Sequence, residues 1–217
     1  MLAAAELAAL WQASDTEHAA PWRAGPKLLM LTGQRRDEVF GAGLAEFGEV
    51  FVAELDESDL EGAMWTIPGE RAKNGLAHIV PLSRAAVAVL RSVPMIAGTD
   101  KLFPASRQGQ GYASGYSKAS ARLRTKVAKE TGLPTDWTWH DIRRTVATGM
   151  QRLGIRLEVV EAVLNHISGS RGGIVGVYQR HDWLEEKRDA LNLWAADLHR
   201  VVKCQERGSL VQLGSAK

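Results

Sequence analysis

Residues 137–154, "WTWHDIRRTVATGMQRLG", decide how the rest of the chain is read. From His140 onward the stretch reads as a helix, and His140 and Arg143, three positions apart, fall on one face of it. Helical patterning continues on either side. Upstream lie "RAAVAVLRSV" (84–93) and "SGYSKASARLRTKVAKETG" (114–132). Downstream lie "RLEVVEAVLNH" (156–166) and "DWLEEKRDALNLWAADLHRVVK" (182–203). Near the start, "AAAELAALWQAS" (3–14) sets Leu7, Leu10 and Trp11 at helical spacing. Pro21 and Pro26 bracket the start of a further helix that ends at "LLMLTG", where Gly33 is the stop signal. "RRDEVFGAGLAEF" then resumes helical periodicity from Arg35.

The middle of the chain has a different grain. "EVFVAEL" (49–55), "MWTIP" (64–68) and "AHIVPLS" (77–83) are short, rich in β-branched or aromatic residues, and separated by Gly, Asn and Asp. "KNG" at 73–75 is a tight-turn signal. The reading is a mainly α domain with a small antiparallel β-sheet insert of two or three strands. That domain spans 1–203, with the β-hairpin region at about 49–82, and the small, polar tail 204–217 is expected to be flexible. There is no internal repeat and no interdomain linker.

Composition narrows the function. A chain of 217 residues, 45% hydrophobic and 24% charged, is an ordinary globular sequence with a sizeable core. No apolar run approaches the roughly 20 residues needed to span a bilayer. The first residues lack the basic and small-residue signature of a secretory leader, so the expected location is cytoplasmic. The single cysteine, Cys204, excludes an intrachain disulfide and a Cys-rich zinc cage. No Walker loop points to ATP, and no carboxylate cluster has metal-ligand spacing, so neither cofactor nor metal is expected. The net charge of +2 conceals an uneven distribution. Between Ser114 and Lys129 there are five basic residues and no acidic one, whereas acidic residues gather in "ELDESDLEG" (54–62). Lys118, Arg122, Lys126 and Lys129 form one helical stripe. It suits a solvated face, and equally a DNA backbone contact that reads charge rather than sequence.

Six polar residues recur where local pattern does not require them: Arg35, Lys73, His140, Arg143, His166 and Tyr178. Each has an ordinary explanation alone. Tyr178 suits a packing residue, His166 a helix cap, Lys73 a turn, and Arg35 an ion pair with Glu38 or Asp37. Together they match one chemistry. Attack on a phosphodiester loads charge on non-bridging oxygens, which Arg forks clamp with paired hydrogen bonds. Such preorganised cations can replace a metal ion as the electrostatic stabiliser. A tyrosine hydroxyl can form a covalent intermediate, and a lysine can protonate the departing oxygen.

The stretches "LTGQRRDEV", "TIPGERAKNGLAHIVPLS", "WTWHDIRRTVATGM", "VLNHISGS" and "GVYQRHDWLEEKRDAL" closely resemble the catalytic domain of tyrosine recombinases, in particular prophage and genomic-island integrases. The resemblance covers about residues 3–200, and the order Arg, Lys, His-x-x-Arg, His, Tyr is highly specific. It implies that Arg35 and Arg143 bind the scissile phosphate, that His140 contacts it and assists deprotonation of the tyrosine, and that His166 holds the phosphate. Lys73 would be the general acid to the 5′ oxygen. Tyr178 would be the nucleophile, leaving a 3′-phosphotyrosyl bond, and Glu38 would orient the first arginine. The implied partner is double-stranded DNA at attachment sites, with a homotetramer formed on it and a monomer or weak oligomer when free.

Three departures stand out. Asn165 occupies a position where the family commonly has glycine, the segment between Arg35 and Trp65 is longer than usual, and so is the glycine-rich passage from His166 to Tyr178. Such a passage would let the nucleophile swing into the site or reach a neighbouring subunit. Integrases of this type usually carry an N-terminal helical domain that closes round DNA; this sequence starts at the catalytic domain's first helix, so it reads as a fragment or a truncated gene, and weak DNA binding and poor recombination are expected of it alone. Two other readings stay open: a catalytically impaired DNA-binding or assembly module derived from an integrase, and a type IB topoisomerase, which the ending "YQRHDWLEEKRDAL" disfavours.

Overall fold

Leu7 and Leu10 are buried on one side of α1 (Ala4–Asp15), which packs against α5 (Tyr116–Thr131) and α8 (Leu184–Gly214). The computed structural model describes residues 1–52, 56, 62–105, 111–166 and 183–214, with the backbone alone over 206–214. Next in order come α2 (Ala20–Thr32) and the short α3 (Arg36–Phe40). α2 ends where expected, at Gly33 in the left-handed region, φ 66°. A side chain there would be strained by that φ, and its Cβ would come 2.9 Å from Leu164 Cδ2. Glycine thus lets the end of α2 lie directly on the end of α7 (Leu157–Val163).

After α3 the strand expected for "EVFVAEL" is not formed over residues 49–52, and residues 53–55 lie outside the described residues. Residues 49–51 belong instead to a 3₁₀ segment, Leu44–Phe51, kinked at Gly48, φ 53°. The reason lies in the spacing. Leu44, Phe47 and Val50 recur every three residues, matching the three residues per turn of a 3₁₀ helix. Phe47 and Val50 are buried, and Phe47 stacks on Trp65 with ring centroids 5.4 Å apart. Among the described residues the sheet therefore has two strands. β1 (Met64–Ile67) pairs antiparallel with β2 (His78–Pro81), Trp65 opposite Val80 and Ile67 opposite His78. Trp65, Ile67, His78 and Val80 form the buried face.

α4 (Arg84–Arg91) starts at Ser83, whose Oγ accepts the Ala86 N–H. α6 (Trp139–Arg152) starts with a reciprocal cap: Thr138 Oγ1 accepts the Asp141 N–H, and Asp141 Oδ2 accepts the Thr138 N–H. That cap fixes where the helix begins and hence which way His140 and Arg143 face. α2 crosses the middle of the molecule, touching α1, α4, α6 and α8. Trp194 of α8 locks this centre. Its ring lies so close to α6 that a Cβ on Gly149 would sit 2.2 Å from it, and its Nε1 donates to Met30 O at 2.7 Å. Phe40, Trp22, Tyr116 and Trp139 form a second aromatic cluster with centroid spacings of 5.2–6.4 Å. α8 remains helical to Gly214, past Lys203, where the sequence pattern had set its end.

Candidate active site

A helix leaves its last carbonyls without intrahelical partners. At the end of α7 they become the frame on which the site is built. Asn165 adopts φ 48°, its N–H donates to Ala162 O, and the His166 N–H reaches back to Glu161 O at 2.9 Å. This is a Schellman turn with asparagine in the left-handed position usually taken by glycine. Asn tolerates that conformation better than other side-chain-bearing residues, which accounts for the departure at this position.

Three further carbonyls are claimed by side chains from distant parts of the chain. Val163 O accepts from Gln34 Nε2 at 2.8 Å and faces His78 Nε2 at 3.0 Å. Leu164 O accepts from Arg143 Nη2. Asn165 O accepts from Arg35 Nη2 at 3.4 Å. The two guanidinium groups therefore rest on consecutive peptide carbonyls at the negative end of a helix, where cations are favoured.

Each arginine has a second anchor. Arg35 Nη1 donates to Glu38 Oε1 at 3.0 Å, while Glu38 Oε2 accepts the Arg35 backbone N–H. Glu38 is buried, so the pair is shielded from screening by solvent. Arg143 Nη1 donates to Gly33 O at 2.9 Å. Burial, and then the positive charge of Arg35, bring the Arg143 guanidinium down to about 10, which leaves it cationic at neutral pH. His140 stands on the exposed face of α6. Burial first, then Arg143, Arg144 and Arg35, hold its imidazole below the ordinary value, with Asp141 opposing. A neutral ring next to two arginines can accept a proton from a substrate or nucleophile.

Lys73 is exposed in the turn between β1 and β2 and makes no hydrogen bond among the described residues. Its neighbour Asn74 joins the frame. Asn74 Nδ2 donates to Asn165 Oδ1 at 2.8 Å, and Asn165 Nδ2 donates to Asn74 Oδ1 at 3.3 Å. The turn is also fastened by Arg71, which donates to both carboxylate oxygens of Glu46 and to Glu38 O. His166 is exposed, its Nδ1 3.9 Å from Glu161 Oε1. Arg35 and Arg143 thus meet at residues 164–165, His166 follows them in the chain, His140 senses the charge of both arginines, and Lys73 stands next to Asn74, which bonds Asn165. Tyr178 lies outside the described residues.

Two members of the basic stripe share an internal partner. Glu17, buried in the loop between α1 and α2, accepts from Arg122 Nη2 and Lys126 Nζ, both at 2.6 Å. Burial pushes the Glu17 carboxyl up, but these two hydrogen bonds and charges outweigh it and leave it low. Arg122 and Lys126 therefore share one internal carboxylate, and since two cations meet a single negative charge and both side chains stay partly exposed, the pair keeps a net positive charge at the surface. Lys118 and Lys129 are exposed and make no hydrogen bond among the described residues. Sequence patterning also passed over Gln34, His78, Asn74 and Glu17. A polar residue beside a catalytic candidate, as Gln34 is to Arg35 and Asn74 to Lys73, was the one signal available.

A mostly helical domain with an antiparallel hairpin, two arginines and two histidines around one helix end has the fold of a tyrosine recombinase catalytic domain. The chain belongs to the phage integrase family, whose model matches residues 1–182. It is 32% identical over 164 residues to the prophage integrase IntA of Escherichia coli (strain K12), a match covering 75% of this chain and 37% of that protein. The crystal structure of the XerH site-specific recombinase, solved bound to its difH substrate as a pre-cleavage complex, superposes with a TM-score of 0.52. That likeness, at 21% identity, covers 83% of this chain and 51% of the recombinase, and it carries the fold. The chain spans well under two thirds of both relatives. No helix among the described residues is long and apolar enough to cross a membrane.

Proposed function

We propose that this chain is the catalytic domain, residues 1–203, of a site-specific recombinase that integrates or excises a mobile element, acting on double-stranded DNA in the cytoplasm. The observation that carries the reading is the seating of Arg35 and Arg143 on consecutive carbonyls of one helix end, beside His166 in the chain and tied through Asn165 and Asn74 to the turn that carries Lys73. This geometry suits a single phosphate. The two guanidinium groups bind its non-bridging oxygens and oppose the charge that grows there during attack. His140 takes the proton of the Tyr178 hydroxyl. A bond forms between Tyr178 Oη and phosphorus as the bond from phosphorus to the 5′ oxygen breaks, and Lys73 delivers a proton to that oxygen. The product is a 3′-phosphotyrosyl link and a free 5′ hydroxyl, and the reverse steps rejoin strands. Two arginines supply the electrostatic stabilisation, so the scheme calls for no cofactor and no metal ion. Recombination between two sites would engage four copies of the chain.

The test is a nicked duplex built on the direct repeat that flanks the element, which after cleavage loses the short fragment bearing the new 5′ hydroxyl and so traps the covalent product. The wild-type chain is expected to form a DNA adduct that denaturation does not dissociate, and Tyr178→Phe to form none. An adduct with Tyr178→Phe would assign the nucleophile elsewhere. Specific binding with no adduct from the wild type would mark the chain as a binding module.

A further inference from the structure

Among the described residues, the Asn74–Asn165 pair is the hydrogen-bonded link between the turn that carries Lys73 and the helix end that holds both arginines, with His78 of β2 facing Val163 O just beyond the turn. The two amides exchange hydrogen bonds at 2.8 and 3.3 Å, across 91 residues of sequence. Each partner is itself fixed. Asn74 Oδ1 also accepts the Leu76 N–H at 3.2 Å, which sets the turn, and Asn165 is held at φ 48° by the Schellman turn while its carbonyl accepts from Arg35. Lys73 has no anchor of its own among the described residues. A second fastening of the same turn, Arg71 on Glu46 and Glu38 O, ties it to the 3₁₀ segment and α3 rather than to the helix end that holds the arginines.

We infer that Asn74 and Asn165 form a latch that positions the Lys73 ammonium over the leaving oxygen, so that proton delivery is coupled to the same helix end that binds the phosphate. The inference rests on the strand-cleavage reading above. A flexible lysine on an unanchored turn would spend little time in range of the 5′ oxygen, and holding it there is the kind of positioning that accelerates a proton transfer. Asn165 would then serve two ends at once, as the left-handed cap residue and as a tether. Glycine at this position supplies only the first.

The experiment compares two substrates with the full chain: the nicked duplex of the trapping assay, and the same duplex with sulfur replacing the bridging 5′ oxygen at the scissile phosphate. A thiolate leaves without being protonated, so the second substrate does not require the general acid. Asn165→Gly is the informative variant, because glycine keeps the backbone at positive φ and removes only the amide. Asn74→Ala removes the other partner. Both are expected to slow adduct formation on the oxygen substrate by about tenfold or more, in the direction of Lys73→Ala, and to react with the sulfur substrate at near wild-type rate. The double variant is expected to be no slower than the slower single one, since either change breaks the same pair. Equal slowing on both substrates would show damage to phosphate binding and overturn the latch. So would unchanged rates on both, or multiplicative slowing in the double variant. Absence of any adduct from the wild type on either substrate overturns the cleavage reading and the latch with it, whereas wild-type cleavage with insensitive variants overturns the latch alone.

Discussion

The guanidinium of Arg143 ties two helix ends together while presenting charge to the site. One nitrogen donates to Gly33 O, at the end of α2, and another to Leu164 O, beyond the end of α7. With the residue only 7% exposed, truncation strands both carbonyls away from water. Arg143→Ala is therefore expected to cost about 2–4 kcal/mol of stability as well as cleavage, measured by urea unfolding beside the trapping assay. Stability equal to wild type would show that the carbonyls find other donors. The sequence marked Arg143 through its spacing from His140 and through the family resemblance. It could not mark the structural duty, because the two acceptors are backbone atoms whose positions depend on where two other helices stop.

At the scale of elements, the end of α7 is the organising feature, and His78 is its quietest contributor. Its ring is buried, faces Val163 O, and lies near Lys187 and Arg143. Burial first, then those cations, lower its pKa to about 4, against the hydrogen bond to Val163 and the charge of Glu38. The unfolded chain takes up this proton at the ordinary value of 6.5, the folded chain only near 4. Stability from the neutral ring is thus full above 6.5 and is lost as pH falls toward 4, by about 3 kcal/mol in all. His78→Gln can keep a donor toward Val163 O without titrating. Its melting temperature is expected to fall less than that of the wild type between pH 7 and pH 4.5, and parallel curves would remove His78 from this role. At this scale the sequence spoke unevenly. The helix α6 and the hairpin were readable from local periodicity. The 3₁₀ segment was not, because β-branched and aromatic side chains at 49–52 favour a strand locally, while burial of Phe47 against Trp65 and of Val50 in the core favours three-residue spacing.

For the whole molecule, surface charge is set by what folds beneath it. The stripe Lys118, Arg122, Lys126 and Lys129 was legible as a pattern, but Glu17 on a different element satisfies its two central members. DNA affinity is expected to lose about one unit of salt slope on Lys118→Ala or Lys129→Ala and little on Lys126→Ala, as measured by titration across salt concentrations. An equal loss for all three would mean that Glu17 yields its partners to phosphate. The sequence by itself determined the helices, the hairpin, the stop at Gly33 and the order of the candidate catalytic residues, because each depends on neighbours a few positions away or on a motif carried along the chain. Only the tertiary structure decided that Arg35 and Arg143 share one helix end, that Asn74 meets Asn165, and that Arg122 and Lys126 are already engaged. Those outcomes join residues 21 to 130 positions apart, and a hydrogen bond or ion pair forms only once packing has brought its two ends together.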